Sequence, residues 1–216
     1  MSIVVRTLSE RVFEVVRERI VIGKLAGNTP IRQDALAVEL GVSKIPLREA
    51  LARLEQEGLI VSQANRGYFV QPMTAQQADE IYALRLLVEP RAAADAAMIA
   101  NDDERAAAVE AFRTLDHAAG TDLAAVAVSN RNFHTALVRP AGKLLTTQLI
   151  ERLSILAERY VVAHLKPAGR ESRAHQEHQA LLDAWLARDA GGFESLLTAH
   201  IQATLDDLRQ QFSAAT

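Results

Sequence analysis

The chain has 216 residues and no cysteine. A chain without cysteine cannot form a disulfide bond, use a thiolate nucleophile or build a cysteine-based zinc site. The sequence also lacks an apolar run long enough to span a membrane, and its first residues, MSIVVRTLSERVF, lack the apolar core of a signal peptide. We therefore expect a soluble, cytoplasmic protein that has no membrane partner.

An excess of positive charge is absent as well, since the formal net charge is −3. The two parts of the chain differ in charge, however. Residues 1–72 carry ten Lys and Arg against eight Asp and Glu, a net +2, and residues 73–216 carry fourteen against nineteen, a net −5. A weakly positive front part and an acidic rear part are compatible with a DNA-binding domain joined to a domain that avoids DNA.

The front part, residues 1–72, has the apolar pattern of three helices followed by a hairpin. Thr7 and Glu10 are spaced as a capping box at the first helix, and Gly58 is placed to stop the third. Three helices and a hairpin form a winged helix-turn-helix, a DNA-binding fold. The predicted helices are 7–24, 33–40 and 43–57, and the predicted strands are 59–61 and 68–70.

The rear part, residues 73–216, is rich in Ala and Leu at helical spacing and has no strand-like run. This pattern predicts an antiparallel, all-helical bundle, so the whole protein is expected to be mainly α. Pro90 falls inside the first helix and predicts a kink near residues 86–87. The predicted helices are about 75–100, 103–118, 122–139, 143–165, 171–188 and 193–211.

The stretch from Gly41 to Val70 contains the residues that we expect to contact DNA. Lys44 and Arg48 are four residues apart in the first turns of the third helix, so both can face one groove. The wing tip adds one cation beside a glycine. Taken singly, these residues could be ordinary solvated side chains, but their order and spacing favour DNA contacts. The predicted DNA-binding residues are Ser43, Lys44, Ile45, Pro46, Arg48, Asn65, Arg66 and Gly67.

The same stretch, GVSKIPLREALARLEQEGLI followed by NRGYFV, resembles the GntR family of bacterial transcriptional regulators. The family motif reads approximately G-V-S-R-x-P-V-R-E-A-L-x-x-L-x-x-x-G-L-V. Two positions depart from it: Lys44 replaces the usual Arg, and Asp34 stands where many relatives have a basic residue. The resemblance covers most of residues 7–72 and implies a regulator that binds an operator in double-stranded DNA.

Histidine occurs six times, always in the rear part. Asn130 and His134 are four residues apart and share one face of a helix. His178 and His200 are equally far from the turn near Asp189, so an antiparallel hairpin places them at the same height. Three imidazoles and one oxygen suit Zn²⁺, Ni²⁺ or Mn²⁺, with positions left for a ligand carboxylate. The alternative is a set of ordinary hydrogen-bonding histidines.

The motifs around these residues are N-R-N-F-H at 130–134, Q-E-H at 176–178 and A-H-I at 199–201. Residues 75–211 resemble the FCD ligand-binding domain of the FadR subfamily, whose motifs are D-x-x-F-H, E-x-H and a final H-L or H-I. Asn130 replaces the family's Asp, and its neutral amide lowers the expected metal affinity. The metal ligands that the resemblance implies are Asn130, His134, His178 and His200.

A further family stretch, Y-x-x-R-x-x-x-E, is matched by Tyr82, Arg85 and Glu89. Arg85 is suited to bind an effector carboxylate bidentately. The alternative is an ion pair between Arg85 and Glu89, one helical turn apart. His175 is expected to face solvent and His164 to be structural. The predicted effector-binding residues are Arg85, His134, His178 and His200.

Together these features predict a ligand-responsive transcriptional regulator, in the usual case a repressor, that is not an enzyme. It is expected to bind a palindromic operator as a homodimer, with a small carboxylate metabolite held in a metal-containing helical cavity. One alternative is a metal sensor in which the ion itself is the effector. A more remote alternative is a metal-dependent hydrolase tethered to DNA, although no HExxH motif is present.

Overall fold

The computed structural model describes residues 7–119, 122–165, 167 and 169–214. These residues form two compact units, and the division falls between Met73 and Thr74. The sequence predicts a domain boundary after Pro72, one residue earlier. The outer ends of the two predicted domains, 1–6 and 215–216, lie outside the described residues.

The first unit contains three helices and a two-stranded antiparallel sheet. Thr7 and Glu10 form the predicted capping box, in which each side chain accepts a hydrogen bond from the other residue's backbone N–H. The strands pair from Ile60 opposite Val70 to Gln63 opposite Gly67. The elements are α1 (Leu8–Val21), α2 (Gln33–Leu40), α3 (Lys44–Gln56), β1 (Ile60–Gln63) and β2 (Gly67–Val70).

A short turn connects α2 to α3. Gly41 ends α2 in the left-handed region at φ +64°, where a residue with a Cβ would be strained. Ser43 is the N-cap residue of α3, and its side chain makes no capping hydrogen bond. Leu47, Leu51 and Leu54 then place one face of α3 in the core of the first unit. The opposite face is left for solvent or a partner.

The second unit is the predicted helical bundle. Pro90 lies inside a helix that is continuous from Ala75 to Ile99, and the kink there stays a prediction. Gly191 and Gly192 lie inside the last helix rather than before it, because the Asp189 carboxylate accepts a hydrogen bond from the Gly192 N–H at 3.0 Å. The helices are α4 (Ala75–Ile99), α5 (Asp102–Ala118), α6 (Leu123–Val138), α7 (Leu144–Leu165), α8 (Arg170–Leu186) and α9 (Ala190–Ala214).

Trp185 joins three helices of this bundle. Its side chain on α8 is fully buried, and its indole N–H lies 3.1 Å from the carbonyl of Ala93 on α4 and 3.1 Å from that of Leu137 on α6. Both carbonyls are therefore bridged by one buried donor.

Among the helices of the described residues, none is long and apolar enough to cross a membrane.

Replacing Trp185 with Phe should lower the free energy of unfolding by about 1–3 kcal/mol, because it removes a buried donor and leaves a cavity. Chemical denaturation followed by far-UV circular dichroism measures this loss. Gln176→Ala, an exposed change on the same helix, is the control and should have little effect. Equal stability of Trp185→Phe and the wild-type protein would contradict the bridging role.

Candidate functional site

The exposed side of α3 carries the residues predicted to contact DNA. Ile45 is 71% exposed, and Lys44 and Arg48 also lie on the surface. Pro46 is half-buried in the first turn, where its missing N–H costs no helical hydrogen bond. The first two turns of α3 therefore present two cations and one apolar side chain to the surroundings.

Lys44 and Asp34, the two departures from the family motif, contact each other. The Lys44 ammonium lies 2.8 Å from the Asp34 carboxylate, and both side chains are well exposed. An exposed pair of this kind is weak, so Lys44 can exchange Asp34 for a phosphate at little cost. The acidic Asp34 thus lowers the net positive charge at the start of α3.

The tip of the hairpin has positive backbone φ angles on both sides of Arg66. Asn65 and Gly67 have φ values of +59° and +83°, so the chain turns tightly around Arg66. The Arg66 guanidinium lies 5.2 Å from the centre of the Phe69 ring. This cation–π contact stabilises the exposed guanidinium of Arg66 at the tip of the hairpin.

Three histidines from three helices meet inside the second unit. His134 on α6, His178 on α8 and His200 on α9 each offer a ring nitrogen within 4.8 Å of the other two. The rings of His178 and His200 are the closest pair, with centroids 4.7 Å apart, as expected for positions at one height of a helical hairpin. The Nε2 atoms of His134 and His178 are buried and have no hydrogen-bond partner.

A carboxylate behind His134 fixes the orientation of its ring. The His134 Nδ1 lies 2.6 Å from the carboxylate of Glu89, which is fully buried on α4. Arg85 donates two hydrogen bonds to the same carboxylate, at 2.8 and 3.2 Å. The ion pair between Arg85 and Glu89, one of the two predicted roles for Arg85, is therefore present. Because Glu89 accepts from Nδ1, the Nε2 lone pair of His134 points to the other histidines.

His200 has a carboxylate partner of the same kind. Its Nδ1 lies 2.7 Å from the carboxylate of Glu177 on α8. Glu177 also pairs with Arg173 at 3.2 Å, and Arg173, together with Arg170, binds Asp207 on α9. A continuous chain of charged groups thus runs from the histidine cluster to the N-terminal turn of α8.

The protonation states of these groups suit a metal ion. Burial, followed by the neighbouring His200 and His134, holds the pKa of His178 well below its ordinary value. Burial also lowers the pKa of His134, although Glu89 opposes the shift. Burial alone would raise the pKa of Glu89, but Arg85 and His134 more than offset it, so its pKa lies below the ordinary value. Neutral imidazoles with unpartnered Nε2 atoms are the form in which histidine binds metals.

The histidine cluster opens into a pocket of about 650 Å³ of atom-free space, its mouth included. Asn130, one turn before His134, lines this pocket, as do Tyr82 and Arg85. Most of the remaining wall is apolar, and includes Phe112, Leu115, Val126, Val161 and Ile201.

Two other histidines differ in their surroundings. His175 is 44% exposed, as expected, and pairs with Asp116 at 2.8 Å. His164, expected to be structural, is buried and lines the pocket. Burial, against the pull of Asp207, lowers the pKa of His164 to about 4, so it is neutral at pH 7. Nothing in the local sequence around His164 signals this position, because the contact depends on how α7 packs.

Profiles of known families match both units. The profile described as bacterial regulatory proteins, gntR family, matches residues 8–70, and the FCD domain profile matches residues 80–203. This chain belongs to the GntR family and carries an FCD domain. The predicted family and the predicted fold class are confirmed.

Its relatives are regulators as well. The chain is 31% identical over 95% of its length, and over 87% of the relative, to the HTH-type transcriptional regulator BphR of Paraburkholderia xenovorans. It is 24% identical to the transcriptional repressor RspR of Escherichia coli, over 94% of this chain and 90% of that one. This GntR-family protein is therefore a DNA-binding transcriptional regulator and not an enzyme, and the hydrolase alternative is wrong.

Solved structures share the fold. Escherichia coli McbR/YncC matches with a TM-score of 0.78 at 24% identity, covering 96% of this chain and 100% of that one. A GntR regulator from Rhodococcus sp. RHA1 matches with a TM-score of 0.77 at 21% identity, covering 94% and 97%. At these identities the likeness concerns the fold and not the ligand.

Replacing Arg85 with Met should lower the free energy of unfolding of the metal-free protein by about 3–5 kcal/mol. The variant would leave the buried Glu89 carboxylate without its arginine, and His134 would be its remaining partner. The double variant Arg85→Met/Glu89→Gln should be more stable than the single one, since it removes both charges. Urea denaturation in the presence of a chelator measures both values. Arg139→Met, which breaks an exposed ion pair with Glu151, is the control. A double variant no more stable than Arg85→Met would contradict the buried-charge explanation.

Proposed function

We propose that this regulator is a repressor that binds a palindromic operator as a homodimer and releases it when a small carboxylate metabolite enters the FCD pocket. One observation carries the proposal. Two buried histidines keep unpartnered Nε2 atoms in the wall of a mostly apolar pocket, in a chain whose other unit is a winged helix-turn-helix.

The proposed DNA contacts come from α3 and the wing. Lys44, Arg48 and Arg66 supply exposed cations for phosphates and base edges, and Ile45 supplies an apolar contact. The Ser43 hydroxyl, which makes no capping hydrogen bond, adds a donor for phosphate. The positive φ values at the wing tip let the backbone approach a groove closely. The proposed set is completed by Pro46, Asn65 and Gly67.

A divalent ion, Zn²⁺, Ni²⁺ or Mn²⁺, would be held by His134, His178 and His200, with the Asn130 side-chain oxygen as a fourth ligand. When bound, the ion supplies positive charge that attracts an effector carboxylate. Arg85 lines the same pocket, and its pair with Glu89 uses two of the five guanidinium N–H groups. Arg85 therefore has two roles in the proposal, holding Glu89 in place and facing the effector.

The apolar wall of the pocket favours an organic effector over a bare ion. A site that senses only a metal ion needs no more than the metal ligands and their hydrogen-bond partners. Here Phe112, Leu115 and Val126 also line the pocket. An apolar surface of this kind contributes affinity only when a ligand with carbon atoms covers it.

Repression and dimerisation have separate support. RspR, one of the relatives, is a transcriptional repressor. Leu87 on α4 and Leu144 and Leu145 on α7 are 69–80% exposed, and apolar side chains of this kind can be covered by another protein chain. Two copies related by a twofold axis would present two identical α3 helices to the two halves of a palindrome.

Asn130→Asp should tighten Zn²⁺ binding by about tenfold or more, because a carboxylate replaces a neutral amide among the proposed ligands. His178→Ala should abolish tight binding. Competition titration with a chromophoric chelator measures both, and elemental analysis identifies the ion that the purified protein carries. His117→Gln, on the exposed face of α5, is the control. Unchanged Zn²⁺ affinity in Asn130→Asp and His178→Ala would contradict the proposed metal site. If DNA affinity changed with the metal ion in the absence of any organic ligand, the metal-sensor alternative would be favoured.

The double variant Lys44→Ala/Arg48→Ala should lose specific DNA binding by about 100-fold or more, because each contact is worth about 1–3 kcal/mol. The DNA is a duplex that the wild-type protein selects from a random library, and gel retardation measures affinity. The selected sequence should be an inverted repeat. Arg91→Ala/Arg113→Ala removes two equally positive, 72% exposed side chains from the other unit and should leave DNA affinity unchanged. Undiminished binding by the α3 variant would refute the assignment of α3 as the DNA-reading helix.

A further inference from the structure

An acidic side chain stands beside the first turn of the proposed DNA-reading helix. Asp34 lies in the first turn of α2, and its carboxylate is 2.8 Å from the ammonium of Lys44, the first residue of α3. The Asp34 side chain is 80% exposed and that of Lys44 is 67% exposed. Ser43 and Ile45, which flank Lys44 in the chain, are exposed as well. The ion pair therefore lies on the surface, at the end of α3 that carries the proposed DNA contacts.

The stability of α3 gives no reason for a lysine at this position. The dipole of a helix favours negative charge in the first turn and disfavours a cation such as Lys44. The ion pair with Asp34 offsets this effect only weakly, because both side chains are exposed to solvent. A role in binding a ligand explains the pair better than a role in folding.

The pair offers a hydrogen-bond donor directly beside an acceptor. A lysine ammonium has three N–H groups, so two remain after the contact with Asp34. An ionised carboxylate has about four lone-pair sites, so Asp34 can accept a further hydrogen bond while it holds Lys44. The donor and the acceptor are 2.8 Å apart.

A G·C base pair presents the complementary pattern in the major groove. The O6 atom of guanine is an acceptor, and the neighbouring N4 amino group of cytosine is a donor. The two groups are joined by a base-pair hydrogen bond, so they are about 2.9 Å apart. In an A·T pair the order is reversed, because the N6 amino group of adenine is a donor and the O4 atom of thymine is an acceptor. Lys44 and Asp34 therefore match G·C in both chemistry and spacing.

We propose that Lys44 and Asp34 act as one unit that reads a single G·C base pair in each half of the operator. The ammonium of Lys44 donates to guanine O6, and the carboxylate of Asp34 accepts from cytosine N4. The inference rests on the proposed function, in which α3 reads the operator. Asp34 is then a specificity-determining residue as well as the ion-pair partner of Lys44.

The negative charge of DNA favours the intact pair over its separation. If Lys44 left Asp34 for a phosphate, the carboxylate would be unpaired within the Debye length of about 8 Å of that phosphate. Like charges this close repel each other. In contact with a G·C pair, both charged groups keep their partner and each gains a hydrogen bond.

The test is gel retardation, at one fixed salt concentration, of the duplex that the wild-type protein selects from a random library. Each base pair of one half-site is replaced in turn, and the affinities of the full-length wild-type protein, Lys44→Ala and Asp34→Ala are compared. The wild-type protein should prefer one G·C pair over A·T by about ten- to a hundredfold. In both variants this preference should fall to about threefold or less.

Two further proteins and one modified duplex sharpen the comparison. The double variant Lys44→Ala/Asp34→Ala should lose no more of the preference than either single variant, because the two residues act as a unit. Glu39→Ala removes an exposed carboxylate of the same helix, which pairs with Arg19, and should keep the wild-type preference. An inosine·cytosine pair keeps O6 and N4 and lacks only the minor-groove amino group of guanine, so it should bind the wild-type protein as G·C does.

The outcomes separate this inference from the proposed function. If Asp34→Ala changes the affinity for all duplexes by one common factor, Asp34 acts only through its charge or through helix stability, and the inference is overturned. It is also overturned if Lys44→Ala relaxes no position, as for a phosphate contact, or relaxes one that is not G·C. In these cases a loss of binding by Lys44→Ala/Arg48→Ala would still support α3 as the DNA-reading helix. Undiminished binding by that variant would refute both.

Discussion

A single buried carboxylate organises the base of the pocket. Glu89 is fully excluded from solvent, and a charge in that position is tolerated only with close partners. Arg85 supplies the compensating charge from one turn away, and His134 supplies a third hydrogen bond from another helix. The same contact places the proton of His134 on Nδ1 and leaves Nε2 for a metal ion. The Glu89 carboxylate therefore both pairs with the Arg85 charge on α4 and orients the imidazole of His134 on α6.

The pattern is repeated on the other side of the cluster. Glu177 stands behind His200 as Glu89 stands behind His134, and each carboxylate has an arginine of its own, Arg173 in one case and Arg85 in the other. Carboxylates behind metal-binding imidazoles raise their basicity and hold their rings in place. Asp207 extends the second arrangement to the start of α8. A change in the position of His200 on ligand binding would therefore act on α8 through hydrogen-bonded charges.

Short-range patterns predicted most of the fold, and long-range contacts account for what was missed. The capping box at Thr7 and the juxtaposition of His178 and His200 follow from spacing along one helix or one hairpin. The pairing of Glu89 with His134 joins residues 45 positions apart, and no local pattern encodes it. The ion pair of Lys44 with Asp34 could likewise not be predicted, because it depends on the geometry of the turn between α2 and α3.

Asn130 changes the charge balance of the proposed site in two opposite ways. An amide contributes no negative charge, so three neutral imidazoles and Asn130 hold a divalent ion less tightly than a set with an aspartate. For the same reason a bound ion would keep its full positive charge and would attract an anionic effector more strongly. Coupling between two ligands is reciprocal, so an effector that gains affinity from the ion must also tighten the binding of the ion. A neutral fourth ligand would therefore weaken the metal site by itself and strengthen the coupling between the proposed metal ion and the effector carboxylate.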